Sequence, residues 1–217
     1  GFDAKEPIYQ KDLKDDWTRN EKLAVVSNQI TQDMFQNIFE LNQMSKLDLN
    51  ILILAWRSFS GNNGEPTEQN LYNDAHKTIE WLNSKGVKND NIILYGESLG
   101  TGIAVELGQT NNFRGIILES PFTSMENAAK NIYPWLPVKY LLKDKYNSER
   151  KIKEIKSPIL ILHGEKDTIV PFHMGKKLYD LANEPKFSYF TKDDDHMMKF
   201  DENLINSIKD FLSFNAQ

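Results

Sequence analysis

Ile92-Ile93-Leu94-Tyr95-Gly96-Glu97-Ser98-Leu99-Gly100-Thr101-Gly102-Ile103-Ala104 is the most informative run of the chain. Its first four residues are apolar without polar alternation, which reads as a strand buried on both faces and hence part of a parallel sheet covered by helices. A Gly-x-Ser-x-Gly turn follows, and small and apolar residues then open a helix. Alone, that turn pattern is weak. Between a strand and a helix it is the sharp bend that lifts a serine hydroxyl above the end of a sheet. The glycines have a steric reason: the serine sits in a strained backbone conformation, and side chains two positions before or after it would meet the strand and the helix.

The same rhythm extends in both directions. Continuous apolar runs at 23–26, 51–56, 116–118 and 159–162 read as further buried strands, and Phe187-Ser188-Tyr189-Phe190 as a strand near the sheet edge. Between them lie helical patterns. Thr67 caps a helix in which Leu71, Ala75, Ile79 and Leu82 share a face, and Gly86 stands where a left-handed residue ends it. Less regular helices are expected over 31–46, 99–109, 174–182 and 202–214. Strand alternating with helix predicts an α/β fold, a mostly parallel sheet of about six strands flanked by helices. At about 150 residues per domain, 217 residues fit a single domain over 1–217. One segment breaks the rhythm. Residues 121–150 carry Pro121, Pro134 and Pro137 among aromatic and aliphatic side chains, too broken for one helix. They predict a small helical, cap-like insertion, with Trp135, Leu136 and Leu141 as candidates to contact substrate.

In open α/β sheets ligands bind beyond the carboxyl ends of the strands, so the residues after each run are the place to look for chemistry. A serine hydroxyl needs a base to take its proton, and the base needs a carboxylate to orient it. After 159–162 comes His163-Gly164-Glu165-Lys166-Asp167, and after the edge strand comes Asp193-Asp194-Asp195-His196. Ser98, Asp167 and His196 thus follow strand ends in the order nucleophile, acid, base. Glu119 also ends a strand and is the alternative acid. His76, His163 and His173 read as structural. Adjacent acids at 193–195 point in divergent directions and offer no closed coordination shell, so no metal is expected.

With these pieces in hand the chain resembles the serine α/β-hydrolase superfamily, and within it the small hydrolases of the fission-yeast Bem46 type and their bacterial relatives. The resemblance runs over about 47–214. It rests on Trp56-Arg57-Ser58-Phe59-Ser60-Gly61, the serine turn, Leu118-Glu119-Ser120-Pro121-Phe122-Thr123-Ser124, the Asp167 loop and Asp195-His196. It implies the α/β-hydrolase fold, a triad of Ser98, Asp167 and His196, hydrolysis of carboxylic esters or thioesters, and no cofactor. The oxyanion of such a reaction takes one donor from the backbone N–H of Leu99. The second is expected from the loop after 23–26. There relatives show His-Gly-Asn and this chain has Ser27-Asn28-Gln29, so the Gln29 N–H is the candidate. Arg57 reads as structural. Members of the superfamily usually begin with an antiparallel strand pair, whereas the polar residues 11–22 hold little strand pattern, so a reduced N-terminal pair is expected.

Composition narrows the partners. A formal charge of −5 with interspersed lysines and acids argues against nucleic acid. Apolar runs of about six residues are far below the roughly 20 of a bilayer span. The chain has no cysteine, hence no disulfide or thiolate chemistry. A cytoplasmic location is the expectation, although residue 1 is Gly and a leader or anchor can have been removed. The reading is a serine esterase, lipase-like, acting on a small-molecule ester. A peptidase or amidase on the same fold and a non-catalytic ligand-binding protein with an impaired oxyanion loop are its alternatives.

Overall fold

Successive residues of each central strand serve two different cores. The computed structural model describes residues 43, 44, 47, 49–58 and 62–214, with the backbone of 23–27. Among them six strands form one parallel sheet in the order β2-β1-β3-β4-β5-β6. They are β1 (Leu23–Ser27), β2 (Asn50–Ile53), β3 (Ile92–Glu97), β4 (Gly115–Glu119), β5 (Ile159–Gly164) and β6 (Lys186–Thr191). Ile92, Leu94, Ile116, Leu118, Ile159 and Ile161 face one apolar cluster. Ile93, Tyr95, Ile117, Leu160 and Leu162 face another. Both faces are covered, which is why the runs lack polar alternation.

The first face is covered by α1 (Glu68–Ser84), α2 (Leu99–Thr110) and, past β5, α6 (Phe172–Leu181). The second face is closed by α7 (Glu202–Phe214) through Leu204, Ile205, Ile208, Phe211 and Leu212. Helix α1 starts and stops as its sequence predicts. Thr67 Oγ1 accepts from the Asn70 N–H, Leu71, Ala75, Ile79 and Leu82 are buried, and Gly86 follows at φ 88°. Each buried aliphatic side chain contributes about 1.5–3 kcal/mol, so trimming one such as Ile161 to Ala costs about 2–5 kcal/mol.

Three expectations are adjusted or left aside. The run 51–56 is strand only to Ile53, where pairing with β1 ends at Val26, and Trp56 turns under α1 into the first core. The helix expected over 31–46 and the polar residues 11–22 lie outside the described residues, apart from a helical pair at 43 and 44. Residues 121–150 hold α3 (Met125–Ile132) and α4 (Val138–Leu141), and α5 (Ser148–Lys151) begins there. No helix among the described residues is long and apolar enough to cross a membrane.

Candidate active site

Strand order reverses between β1 and β3, and the carboxyl end of β3 carries Ser98. Ser98 adopts φ 48° and ψ −115°, a conformation that costs a non-glycine residue free energy and persists only where neighbours fix it. The fixing contacts are local. The Ser98 N–H donates to the Glu119 carbonyl of β4 at 3.0 Å, and both the N–H and the Oγ1–H of Thr101 donate to the Ser98 carbonyl, at 3.0 and 2.6 Å. The turn closes so tightly that a Cβ on Gly96 would lie 2.5 Å from the Gly100 carbonyl oxygen. Leu99 is the first residue of α2, so its N–H belongs to the helix N-terminus, where donors lack intrahelical partners and the dipole favours an anion.

Two more strand ends bring a carboxylate and an imidazole to Ser98. Beyond β5, Asp167 Oδ1 accepts from the N–H groups of Ile169 and Val170, at 2.9 and 2.7 Å. Its Oδ2 accepts from His196 Nδ1 at 2.8 Å, and Ser98 Oγ lies 3.0 Å from His196 Nε2. The carboxylate can only accept, so Nδ1 carries the proton and Nε2 faces the serine hydroxyl as an acceptor. The loop carrying His196 is pinned on both sides. Asp195 Oδ1 accepts from the N–H groups of His196 and Thr168, tying the His196 loop to the Asp167 loop, and Ser120 Oγ donates to the His196 carbonyl at 2.9 Å.

A second histidine serves the same carboxylate. His163, with no exposed surface, directs Nε2 to the Val170 carbonyl at 2.9 Å and to Asp167 Oδ2 at 3.2 Å. Its Nδ1 has no hydrogen-bond partner and faces α6, where a Cβ on Gly175 would come within 2.1 Å of it. Burial by itself would push the Asp167 carboxyl up. The hydrogen bonds from His163 and His196, the charge of His196 and the Val170 N–H outweigh it and hold the group well below the usual carboxylate range.

The structure therefore brings together Ser98, Asp167 and His196, the three candidates drawn from different loops. Glu119, the alternative acid, is buried and accepts from the Tyr95 hydroxyl, while Asp167 is the carboxylate at His196. The three neighbouring aspartates do diverge: Asp193 to Lys166, Asp194 to Thr191, Asp195 to Thr168 and His196. Arg57 grips the Asp74 carboxylate of α1 with its fork of donors. Trp135 and Leu141 are exposed and Leu136 is half-buried. Gln29 lies outside the described residues. In sequence His163 reads as structural, and nothing there singles out Asp195 or Ser120 as supports of His196. The four-residue spacing of His163 and Asp167 was the one available signal, and it needed the loop's turn to become a contact.

Residues 57–217 match the prolyl oligopeptidase family. Among curated proteins, an uncharacterized protein of Mycobacterium tuberculosis is 39% identical over 141 residues, 64% of this chain and 50% of that protein. Lysophosphatidylserine lipase ABHD12 of Danio rerio is 34% identical over 161 residues, 66% of this chain and 42% of that protein. The chain spans about half the length of the curated relatives it matches. Among solved structures, the Pyrococcus furiosus esterase Pf2001 aligns with a TM-score of 0.72 at 18% identity, over 90% of this chain and 84% of that one. A monoacylglycerol lipase of Paleococcus ferrophilus aligns with a TM-score of 0.65 at 16% identity, over 89% and 94%. At such identities these two likenesses speak for the fold.

Proposed function

The chain belongs to the prolyl oligopeptidase family, within the α/β-hydrolase serine hydrolases, and on that premise we propose that it cleaves carboxylic esters through an acyl-enzyme. The observation that carries the reading is the hydrogen-bonded line Ser98 Oγ, His196 Nε2, His196 Nδ1, Asp167 Oδ2, at 3.0 and 2.8 Å. Ser98 Oγ attacks the ester carbonyl carbon and its proton passes to His196 Nε2. Asp167 keeps the imidazole in place and stabilises its charged form. The developing oxyanion meets the Leu99 N–H, with the Gln29 N–H as its second donor. Collapse of the tetrahedral intermediate expels the alcohol, which takes the proton from His196. Water, deprotonated by the same nitrogen, then frees the acid and restores Ser98. No cofactor enters these steps. In this reading 1–217 is one domain and 121–150 a cap-like insertion within it.

A relative named as a lipase supports esters over amides, while the family name keeps a peptidase as the second reading. The test is turnover of p-nitrophenyl acetate and butyrate by the 217-residue chain, with Ser98→Ala lowering it by at least about 10³-fold. Absent turnover, or a Ser98→Ala rate equal to wild type, overturns the proposal. Stoichiometric labelling of Ser98 by a fluorophosphonate without ester turnover favours the binding protein with an impaired oxyanion loop. Faster cleavage of an aminoacyl-anilide than of the matched ester favours the peptidase.

A further inference from the structure

We infer that the insertion after β4 is a docking surface for an anionic lipid bilayer. Five large apolar side chains stand exposed in ten residues: Ile132, Tyr133, Trp135, Tyr140 and Leu141. Trp135 is 74% exposed, Tyr140 85% and Leu141 62%, values at which these side chains pack against little of the described protein. A monomer rarely leaves so contiguous an apolar patch in water unless it meets something. Ile169 and Met197, two and one residues from Asp167 and His196, are also exposed.

Two features select a bilayer as the occupant. Trp and Tyr combine an apolar ring with a polar tip, the pairing that settles at the boundary between headgroups and acyl chains. The charge is also complementary. The insertion, 121–150, holds Lys130, Lys139, Lys143, Lys145 and Arg150 against Glu126, Asp144 and Glu149, a formal charge of +2 in a chain of net charge −5. Lys130 pairs with Glu126 of the preceding turn and Lys139 lies within electrostatic reach of the same carboxylate, while Lys143 makes no ion pair among the described residues. A second copy is a poorer fit, because a two-fold contact through this face gathers the lysines of both copies. The insertion leaves from the carboxyl end of β4, and Ser120 at that end holds the loop of His196, so docking turns the Ser98 edge of the sheet toward the membrane.

The inference does not depend on ester hydrolysis, and its test uses the 217-residue chain carrying Ser98→Ala so that no lipid is consumed. Co-sedimentation is measured with phosphatidylcholine vesicles and with vesicles containing roughly one third phosphatidylserine. Binding to the anionic vesicles is expected, with tryptophan emission shifting to the blue and the shift lost in Trp135→Glu. A lysine near an anionic surface is worth about fivefold in partitioning, so Lys139→Glu with Lys143→Glu lowers binding by about 25-fold or more. Trp135→Glu and Tyr140→Glu lower it by about tenfold each, and unchanged thermal melting shows that these exposed substitutions leave the fold intact. The inference is overturned by absent binding, by equal binding to neutral vesicles, or by binding that the four substitutions leave untouched. It is equally overturned by a concentration-dependent dimer that the same substitutions dissolve, or by vesicle binding that needs a third, protein partner.

Discussion

The loop after β5 and the segment after β4 leave neighbouring strands at the same edge of the sheet, yet they are built on opposite principles. In the first, from 164 to 171, polar groups are tied inward: Asp167 takes two backbone N–H groups and two histidines, and His163 takes the Val170 carbonyl. In the second, short helices separated by Pro134 and Pro137 hold apolar side chains outward. Chemistry that depends on tenths of an ångström requires atoms whose alternatives have been removed, and dense hydrogen bonding removes them. Contact with a fluid surface requires only area and charge, which exposed rings and lysines supply without fixed geometry.

The contrast can be tested most severely at Asp167. Asp167→Asn keeps the shape but withdraws the charge that orients His196, and kcat/KM for p-nitrophenyl butyrate is expected to fall by on the order of 10³–10⁴. A variant within about tenfold of wild type breaks the comparison and returns the role of acid to Glu119. A smaller loss is expected one contact away. His163→Leu removes a donor from a buried carboxylate, a change that lowers kcat by about 10–100-fold with KM nearly unchanged. His163→Gln places an amide donor near the same position and restores most of it. If the two variants are equally impaired, His163 acts by packing alone.

The smallest effect is a pH dependence of stability. The Asp167 carboxyl is held below its ordinary value in the folded chain, so in the unfolded chain it takes up a proton first as pH falls. Its contribution is complete above about pH 4, the ordinary aspartate range, and is lost as pH drops further through the folded value. Urea unfolding of wild type and Asp167→Asn at a series of pH values should show a stability gap that is constant near neutrality and shrinks in acid. A gap that widens in acid contradicts the sign of the shift. No such dependence is expected of Tyr140→Glu, whose site is exposed and takes no part in these bonds.

Much of this was legible in the chain itself, for physical reasons. A strand covered on both faces must be apolar at every position, so β3, β4 and β5 announce themselves as continuous runs. A helix covered on one face must repeat its apolar residues every three or four positions, so α1 does the same. Parallel strands bring their carboxyl ends to one edge, so a serine, an acid and a histidine following three strands become neighbours before any coordinate is known. By itself, then, the sequence determined the sheet, the elbow and the order of Ser98, Asp167 and His196. Only the tertiary structure decided which carboxylate meets His196, that His163 shares it, and that Trp56 leaves the strand for the core. It also decided that Trp135, Tyr140 and Leu141 face outward. Apolar identity says that a side chain gains by leaving water. It does not say whether a core, a pocket or a membrane receives it, because that depends on what the rest of the chain leaves uncovered.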